Sequence, residues 1–190
     1  RSEMLSGISH DLRTPLTRLK LQLSFLNQKD LVKKMSDDIQ EMERMLNEYL
    51  EFASQQKSEE TELADVNDII KEVVNKYESN QIKLFLKENP KINVRPLSIK
   101  RCLTNLLDNA LAYGEKTEIF TKKNANDILI LIDDNGVGIP ENEYQNVLKP
   151  FYRIDKSRSQ NKSGVGLGLS IANDIIRSHG GKIFLEKSPL

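Results

Sequence analysis

The sequence predicts a protein in two parts, a helical hairpin followed by an α/β sandwich. Residues 1–55 repeat apolar side chains at alternating steps of three and four, which is typical of packed helices. Residues 56–62 are polar and lack this repeat, so we interpret them as a linker. Across residues 63–190, short apolar runs typical of strands alternate with longer helical patterns, which favours a sheet with helices on one face.

The composition excludes several classes of function. The 190 residues include 28 Lys and Arg against 28 Asp and Glu, whereas nucleic-acid-binding proteins usually carry a basic excess. We therefore expect no nucleic-acid partner. The single cysteine excludes an internal disulfide and a cysteine-rich zinc site. The two histidines, His10 and His179, are too few for most histidine-built metal centres.

The chain shows no membrane segment of its own. No apolar run approaches the length that crosses a bilayer. The sequence begins at Arg1, with neither an initiator methionine nor a signal peptide. We therefore expect a cytoplasmic fragment without membrane contact, and any membrane or sensing part of the protein would lie outside this sequence.

The first part contains two amphipathic helices. The apolar positions of the first are Leu5, Ile8, Leu12, Leu16, Leu19, Leu23 and Leu26, and those of the second are Val32, Met35, Ile39, Met42, Leu46, Tyr49 and Ala53. A polar break at residues 27–30 separates them, and Asp30 could cap the second helix. One hairpin cannot bury this much apolar surface, so we expect two copies to form a homodimeric four-helix bundle.

The second part is predicted to mix helices and strands. The predicted helices span residues 67–77, with Asn67 as a plausible cap, residues 96–113, opened by Pro96, and residues 167–178, closed by Gly180 and Gly181. The predicted strands span residues 82–86, 93–94, 117–121, 127–133 and 182–185.

His10 is the candidate nucleophile of the hairpin. Because Leu12 and its apolar neighbours face the helix seam, His10 points toward solvent, where a neutral imidazole can attack near neutral pH. Asp11 could accept the other ring N–H, and Thr14 lies one turn on along the same face. The alternative is an ordinary surface histidine. Pro15, which is costly inside a helix, favours a functional site with a kink beside it.

A polar stripe marks the helix of residues 96–113. Asn105, Asn109 and Tyr113 are spaced by four, opposite an apolar face made by Cys102, Leu103, Leu106, Leu107 and Ala110. Asparagine is unfavourable inside a helix, and its amide oxygen is a ligand type that Mg²⁺ accepts. The stripe therefore predicts a magnesium site with Asn105 and Asn109 as ligands, although a solvated helix face is the alternative.

Two glycine-rich turns suggest a nucleotide site. Asp134 follows a predicted apolar strand and is itself followed by Gly136 and Gly138, so a flat base could approach the backbone while the carboxylate accepts from its amino group. A plain Asn-Gly turn is the alternative. Farther on, Gly164, Gly166 and Gly168 alternate with Val165, Leu167 and Leu169 as a helix opens. Their N–H groups could meet phosphates there, unless the run is a flexible connector.

A basic stretch precedes the second glycine run. It contains Arg153, Lys156, Arg158 and Lys162. Such a segment could act as a lid whose cations neutralise a triphosphate, with a solvated charged loop as the alternative. His179 is interpreted as a helix-terminal side chain whose positive form suits the helix dipole. Cys102 is interpreted as a residue that only packs in the core.

The ordered strings resemble those of sensor histidine kinases over nearly the whole chain. SHDLRTPL resembles the H box, NLLDNALAYG the N box, DDNGVGIP the G1 box, PFYRID the F box and GVGLGL the G2 box. All five occur in the family's order. Within the family, SHDLRTPLTRLKLQ and NALAYG look most like the EnvZ osmosensor type.

This resemblance implies a dimerisation and phosphotransfer bundle joined to a Bergerat (GHKL) ATP-binding domain. It implies that His10 is the phosphoacceptor, that Asp11 is its acid/base partner and that Thr14 occupies a phosphatase position. For Mg-ATP it implies contacts from Asn105, Asn109, Tyr113, Asp134, Gly136, Gly138, Phe151, Arg153, Arg158, Gly164, Gly166, Leu167, Gly168 and Leu169.

The implied activity is ATP-dependent phosphorylation of His10, transfer to an aspartate of an OmpR-like response regulator, and dephosphorylation of that regulator. The full-length protein would lie in the bacterial inner membrane. The alternatives are a degenerate ATP-binding scaffold and another GHKL ATPase, although the HDLRTP hairpin argues against the latter. Three features depart from the family: Ala112 replaces a basic residue, Val165 replaces a hydroxyl residue, and Leu190 ends the chain before an expected last strand.

Overall fold

A computed structural model of the chain describes residues 15–23, 25, 29–55, 59–78, 80–87, 91–124, 127–154 and 166–190. The chain forms two compact units, Arg1–Ser58 and Glu59–Leu190. Among the described residues, no helix has the length and apolar character needed to span a membrane. His10, Asp11, Thr14, Arg158 and Gly164 lie outside the described residues.

Unit 1 contains helix α1, over residues 15–23, and helix α2, Lys29–Gln55. Leu16, Leu23 and Ile39 form its small buried core. The Lys20 ammonium also contacts the Glu43 carboxylate at 2.5 Å, which links the two helices. The apolar pattern therefore predicts both helices correctly within the described residues.

Two details of unit 1 differ from the sequence prediction. Helix α2 begins at Lys29, so Asp30 lies in its first turn rather than capping it, where a carboxylate still suits the helix dipole. Met35 and Met42 of the predicted seam are 38% and 51% exposed, whereas Ile39 between them is buried. One neighbouring helix can cover only part of an apolar face, so the remainder stays at the surface.

Unit 2 contains two sheets and three α-helices. Strands β1 (Glu62–Asp65) and β3 (Lys91–Val94) pair antiparallel. In the second sheet β4 (Thr117–Asn124) lies between β2 (Ile82–Leu86), to which it is parallel, and β5 (Asp127–Asp134), to which it is antiparallel. The helices are α3 (Val66–Val74), α4 (Pro96–Tyr113) and α5 (Gly168–Ser178), with a short 3-10 helix at Glu141–Glu143.

The core of unit 2 lies between the helices and the mixed sheet. On β4 the alternate residues Thr117, Ile119 and Thr121 are buried, as the period of a strand requires. The helices contribute apolar stripes that include Ile70 and Val73 from α3, Leu103 and Leu107 from α4, and Ile171 and Ile175 from α5. This arrangement is the α/β sandwich predicted from the sequence.

The start of unit 2 corrects the prediction. Glu62 and Glu59, both assigned to the linker, belong to unit 2, because Glu62 opens β1 and the Glu59 carboxylate accepts the backbone N–H groups of Leu97 and Ser98. Glu59 thus caps α4. Asp65, rather than Asn67, caps α3 by accepting the Asn67 N–H at 2.9 Å, and α3 ends at Val74. Composition alone does not reveal such long-range partners.

The later element boundaries also differ. Strands β4 and β5 extend to Asn124 and Asp134, because the antiparallel ladder continues through polar residues. Helix α5 begins at Gly168, one residue later than predicted. The strand predicted at residues 182–185 is wrong, because residues 181–190 form no ladder with a described strand. An apolar pattern becomes a strand only when a neighbouring edge supplies hydrogen bonds.

Candidate functional site

Helix α4 presents the predicted polar stripe. Cys102, Leu103, Leu107 and Ala110 are buried on one side of the helix, whereas Leu106 is half-buried. On the stripe itself Asn105 and Asn109 are half-buried and Tyr113 is exposed. Each step of four advances about one turn, so the three polar residues line one edge of the helix.

The end of α4 is in close contact with the turn after β5. The Gly136 N–H donates to Asp134 Oδ1 at 2.8 Å. A Cβ at Gly136 would lie 2.9 Å from the Tyr113 carbonyl oxygen, closer than protein side chains approach, so this position requires glycine. Asp134 and Tyr113, which are far apart in sequence, are thereby brought to one corner of the unit.

Asn135 is a site residue that the sequence reasoning assigned only to a turn. Its Oδ1 accepts the backbone N–H groups of Glu115 and Lys116, at 2.8 and 2.9 Å. Its own N–H donates to the Lys116 carbonyl oxygen at 3.2 Å. The turn after β5 and the loop between α4 and β4 are therefore held together. The available signal was the tendency of asparagine to bind backbone groups in turns.

The N-terminus of α5 lies beside Asn105. Leu167 is the N-cap residue, and leucine has no side-chain oxygen that could accept the N–H groups of the first turn. A Cβ at Gly168 would lie 3.8 Å from Asn105 Cβ, an ordinary contact distance. The protein itself would tolerate a side chain there, so the position leaves space beside first-turn N–H groups that attract anions.

The residues on either side of the basic stretch contact each other. The Phe151 N–H donates to the Gly166 carbonyl oxygen at 3.0 Å. Gly166 has a φ of +79°, and a Cβ there would lie 2.9 Å from the Tyr152 carbonyl oxygen and 3.3 Å from Arg153 Cγ. Conformation and space both require glycine at this position. Phe151 itself has a φ of +63°, which non-glycine residues rarely adopt.

Hydrogen bonds support the backbone before Phe151. The Tyr152 hydroxyl donates to the Glu143 carboxylate at 2.6 Å, and the Asn146 amide donates to the same oxygen at 3.0 Å. These bonds lower the pKa of Glu143, and the bond to Glu143 raises the pKa of Tyr152. The result is a braced turn in front of the basic stretch.

Two buried polar groups of unit 2 stand out, one on α4 and one on β5. The Asn105 Nδ2 is buried, and no described residue accepts a hydrogen bond from it. The pKa of Asp133 is raised by burial and by the negative charges of Glu118 and Asp134, although a hydrogen bond with Ser188 opposes this. An unpartnered amide beside an uncapped helix N-terminus fits a polar ligand that carries hydrogen-bond acceptors.

The described site residues fall into three adjoining contacts. They are Asn105 with Gly168, Tyr113 with Asp134 and Gly136, and Phe151 and Arg153 with Gly166. Helix α4 connects the first two contacts. Gly138 has a φ of +73° and open space around it, and Asn109 and Leu169 are half-buried.

No cluster of three metal-ligating His, Cys, Asp or Glu side chains occurs in the described part of the chain. A metal ion held at this corner would therefore depend on the amide oxygens of Asn105 and Asn109 together with oxygens of a bound ligand. The oxygen donors present fit a hard cation such as Mg²⁺ in kind, but they are too few to bind it alone.

Comparison with known families divides the chain in two. Residues 94–189 match the family described as "Histidine kinase-, DNA gyrase B-, and HSP90-like ATPase". Residues 1–58 match the "His Kinase A (phospho-acceptor) domain". Together these matches confirm the predicted fold class.

Relatives match nearly all of this chain but are much longer. The sensor histidine kinase GtrS of Pseudomonas aeruginosa is 33% identical over 188 residues, which cover 98% of this chain and 39% of GtrS. The sensor protein kinase WalK of Staphylococcus haemolyticus is 32% identical in an alignment that covers 97% of this chain and 34% of WalK. The chain thus spans well under half the length of these relatives.

A solved structure supports the fold of unit 2. The ATP-binding domain of PrrB from Mycobacterium tuberculosis superposes with a TM-score of 0.57 at 25% identity. The superposition covers 69% of this chain and 90% of the PrrB domain.

Proposed function

Because this chain belongs to the histidine kinase-, DNA gyrase B- and HSP90-like ATPase family and carries a His Kinase A domain ahead of the ATPase domain, we propose that it is an ATP-dependent protein-histidine kinase. It phosphorylates His10 and passes the phosphoryl group to an aspartate of a response regulator. The observation that carries this proposal is the Asn105 amide, which is buried and has no hydrogen-bond partner among the described residues. It lies beside the N-terminus of α5, where the N-cap residue Leu167 makes no side-chain capping bond.

Different residues of unit 2 bind the base, the phosphates and the metal ion of the nucleotide. Asp134 accepts a hydrogen bond from the adenine amino group, and the exposed ring of Tyr113 packs against the base. The Asn105 amide and the first N–H groups of α5 donate to phosphate oxygens. Arg153 and Arg158 add positive charge. When bound, Mg-ATP supplies the phosphoryl group and a metal ion that neutralises its charge, with Asn109 and Asn105 as protein ligands.

In unit 1 the chemistry belongs to His10. Its imidazole nitrogen is the nucleophile, and Asp11 holds the ring in the tautomer that leaves this nitrogen unprotonated. The support for these roles is the SHDLRTPL string within the His Kinase A match. Both residues lie outside the described structure.

Incubation of the chain with radiolabelled ATP tests the kinase. We expect label that is acid-labile and base-stable. His10→Gln should bind ATP and stay dimeric yet accept no label, whereas Asn109→Ala should lose Mg-dependent nucleotide binding and keep its fold. Label that persists in His10→Gln would reject His10 as the acceptor, and unchanged Mg-ATP affinity in Asn109→Ala would reject the magnesium ligand.

The same measurements separate the alternatives. A chain that binds nucleotide tightly but never becomes labelled would be a scaffold, the alternative that Ala112 and Val165 support. Phosphate release without label would indicate a different ATPase of the family. The phosphoacceptor domain at residues 1–58 favours the kinase over both.

A phosphatase role for Thr14 forms a finer part of the proposal. Thr14 lies one turn beyond His10, so its hydroxyl can position a water that attacks a phosphoaspartate docked over His10. Autophosphorylation needs no such water. Thr14→Ala should therefore keep labelling and transfer but dephosphorylate the regulator much more slowly. Equal loss of both activities would instead assign Thr14 to support of the helix.

We also propose an oligomeric state, a partner protein and a cellular location for the kinase. The exposed methionines of α2 support a homodimer built from the hairpins. The strings SHDLRTPLTRLKLQ and NALAYG support an EnvZ-like subgroup and an OmpR-like receiver domain as partner. The greater length of GtrS and WalK supports a full-length protein with further parts, for which we propose anchorage in the bacterial inner membrane and a cytoplasmic location of the present segment.

A further inference from the structure

The Thr117 hydroxyl is a buried polar group without a partner. Thr117 is the first residue of β4 and is 1% exposed. Its backbone N–H donates to the Gln81 carbonyl oxygen at 2.9 Å. Its Oγ1, however, has no hydrogen-bond partner among the described residues. Buried hydroxyl groups are normally satisfied, so this one calls for an explanation.

Thr117 lies directly opposite Asp134 in the ladder between β4 and β5. Side chains of such cross-strand partners emerge on the same face of the sheet, with their Cβ atoms roughly 4.5–5.5 Å apart. Asp134 uses Oδ1 to accept the Gly136 N–H. The unsatisfied hydroxyl therefore neighbours the carboxylate that the proposed function assigns to the adenine amino group.

The position of this hydroxyl is held firmly. Asn135 binds the N–H groups of Glu115 and Lys116, the two residues before Thr117. The Asn135 N–H in turn donates to the Lys116 carbonyl oxygen. The start of β4 cannot shift without breaking these bonds, so the hydroxyl and the Asp134 carboxylate keep their relative placement.

Thr121 provides an internal comparison. It lies on the same strand and the same face and is also buried, but its hydroxyl donates to Asn67 Oδ1 at 3.0 Å. The fold thus satisfies a buried threonine far from Asp134 and leaves the one beside Asp134 unsatisfied. A hydroxyl that awaits a ligand accounts for this difference.

We propose that Thr117 contributes directly to adenine binding: its hydroxyl donates to a ring nitrogen of adenine next to the amino group, directly or through one water. The inference rests on the proposed nucleotide site. Asp134 accepts from the amino group while Thr117 donates to an acceptor nitrogen. Guanine carries a carbonyl oxygen in place of that amino group, so the Asp134 carboxylate would face another acceptor. The Asp134 carboxylate therefore favours adenine over guanine, and the Thr117 hydroxyl adds to the affinity for adenine.

Matched valine variants test this proposal in the full chain. Thr117→Val should weaken Mg-ADP binding about tenfold in calorimetry, the effect of one buried hydrogen bond, without lowering the melting temperature of the nucleotide-free protein. Thr117→Ser should restore the affinity. The control Thr121→Val should lower the melting temperature and keep the affinity, because its hydroxyl serves the fold.

Base analogues identify the contact itself. Each analogue, 1-deaza-ADP or 7-deaza-ADP, lacks one of the two ring nitrogens near the amino group. The wild-type chain should bind the analogue that lacks the contacted nitrogen about tenfold more weakly than ADP, whereas Thr117→Val should bind this analogue and ADP equally well. The inference would be overturned if Thr117→Val bound Mg-ADP as tightly as the wild type. It would also be overturned if the variant lost thermal stability but no affinity, because the hydroxyl would then hold a structural water. Equal losses with an analogue in both proteins would also overturn it. Failure of the wild type to bind Mg-ADP would overturn the proposed function as well.

Discussion

The two units bury apolar side chains to very different extents. In unit 2, Leu107, Ile119 and Val73 have no exposed surface, and both the helices and the sheet contribute to one core. In unit 1 the described core consists of Leu16, Leu23 and Ile39, with apolar side chains such as Met42 left at the surface. Unit 2 completes its core within one chain, whereas the described part of the hairpin leaves apolar side chains exposed, where the proposed dimer would cover them.

A similar difference separates two helix N-termini within unit 2. The first turn of α4 is capped by the Glu59 carboxylate. The first turn of α5 follows Leu167, which has no capping oxygen. At α4, whose N-terminus stabilises the fold, a carboxylate of the chain itself accepts the free N–H groups. At α5, whose N-terminus is proposed to bind phosphate, no described side chain caps these groups.

The largest effect on stability is expected from a substitution that creates a cavity in the core of unit 2. Leu107→Ala should reduce the free energy of unfolding of unit 2 by about 2–5 kcal/mol, because the side chain is fully buried. Hydrogen exchange should accelerate in β4 and leave α2 unchanged. Leu97→Ala, on the exposed face of the same helix, is the control. Equal acceleration in α2 would show that the two units unfold together.

A charge placed on the exposed seam of α2 should weaken dimerisation rather than destabilise unit 2. Met42→Glu places an unpaired carboxylate in the proposed dimer interface, which should raise the dimer dissociation constant about a hundredfold or more, as measured by sedimentation. Gln40→Glu adds the same charge at an exposed position outside the seam. If both variants remain dimeric, the exposed methionines do not form the interface.

A smaller effect is expected where unit 2 begins. Glu59→Ala removes the acceptor for the N–H groups of Leu97 and Ser98. Loss of a cap typically costs about 1 kcal/mol, so the urea midpoint of unit 2 should fall slightly while dimerisation is unchanged. A variant as stable as the wild type would mean that Glu59 belongs functionally to the linker.

The smallest effect concerns Asp133, whose pKa is raised by burial and by the charges of Glu118 and Asp134. The folded state therefore holds a proton more tightly than the unfolded state does. Ionisation disfavours the fold, so stability falls as pH rises above the unfolded pKa of about 3.9 and through the raised folded pKa. Asp133→Asn should add under about 1 kcal/mol at neutral pH.

The advantage of Asp133→Asn should vanish as pH falls below the unfolded pKa, since the wild-type carboxyl is then protonated in both states. Thermal unfolding across this pH range measures the trend. Asp127→Asn, at the exposed opposite end of β5, is the comparison. An advantage that does not depend on pH would show that charge is not the cause.

Local patterns were enough to predict most elements. Strand β2 and helix α4 have the predicted bounds, because a short, mostly apolar run and an N-terminal proline are signals contained within each segment. The ordered strings likewise indicated the family without tertiary information. The predicted roles of His10, Asp11 and Thr14 remain predictions.

Contacts between distant segments decided the rest. The cap of α4 by Glu59, the bracing of the loop by Asn135 and the absence of a ladder at residues 181–190 each depend on which segments meet. Thr117 shows the reason most clearly. Its residue type says nothing about nucleotides, but the register of β4 against β5 buries its hydroxyl beside Asp134. Sequence determines the chemical groups and their local periods, whereas register and packing determine which groups remain unsatisfied.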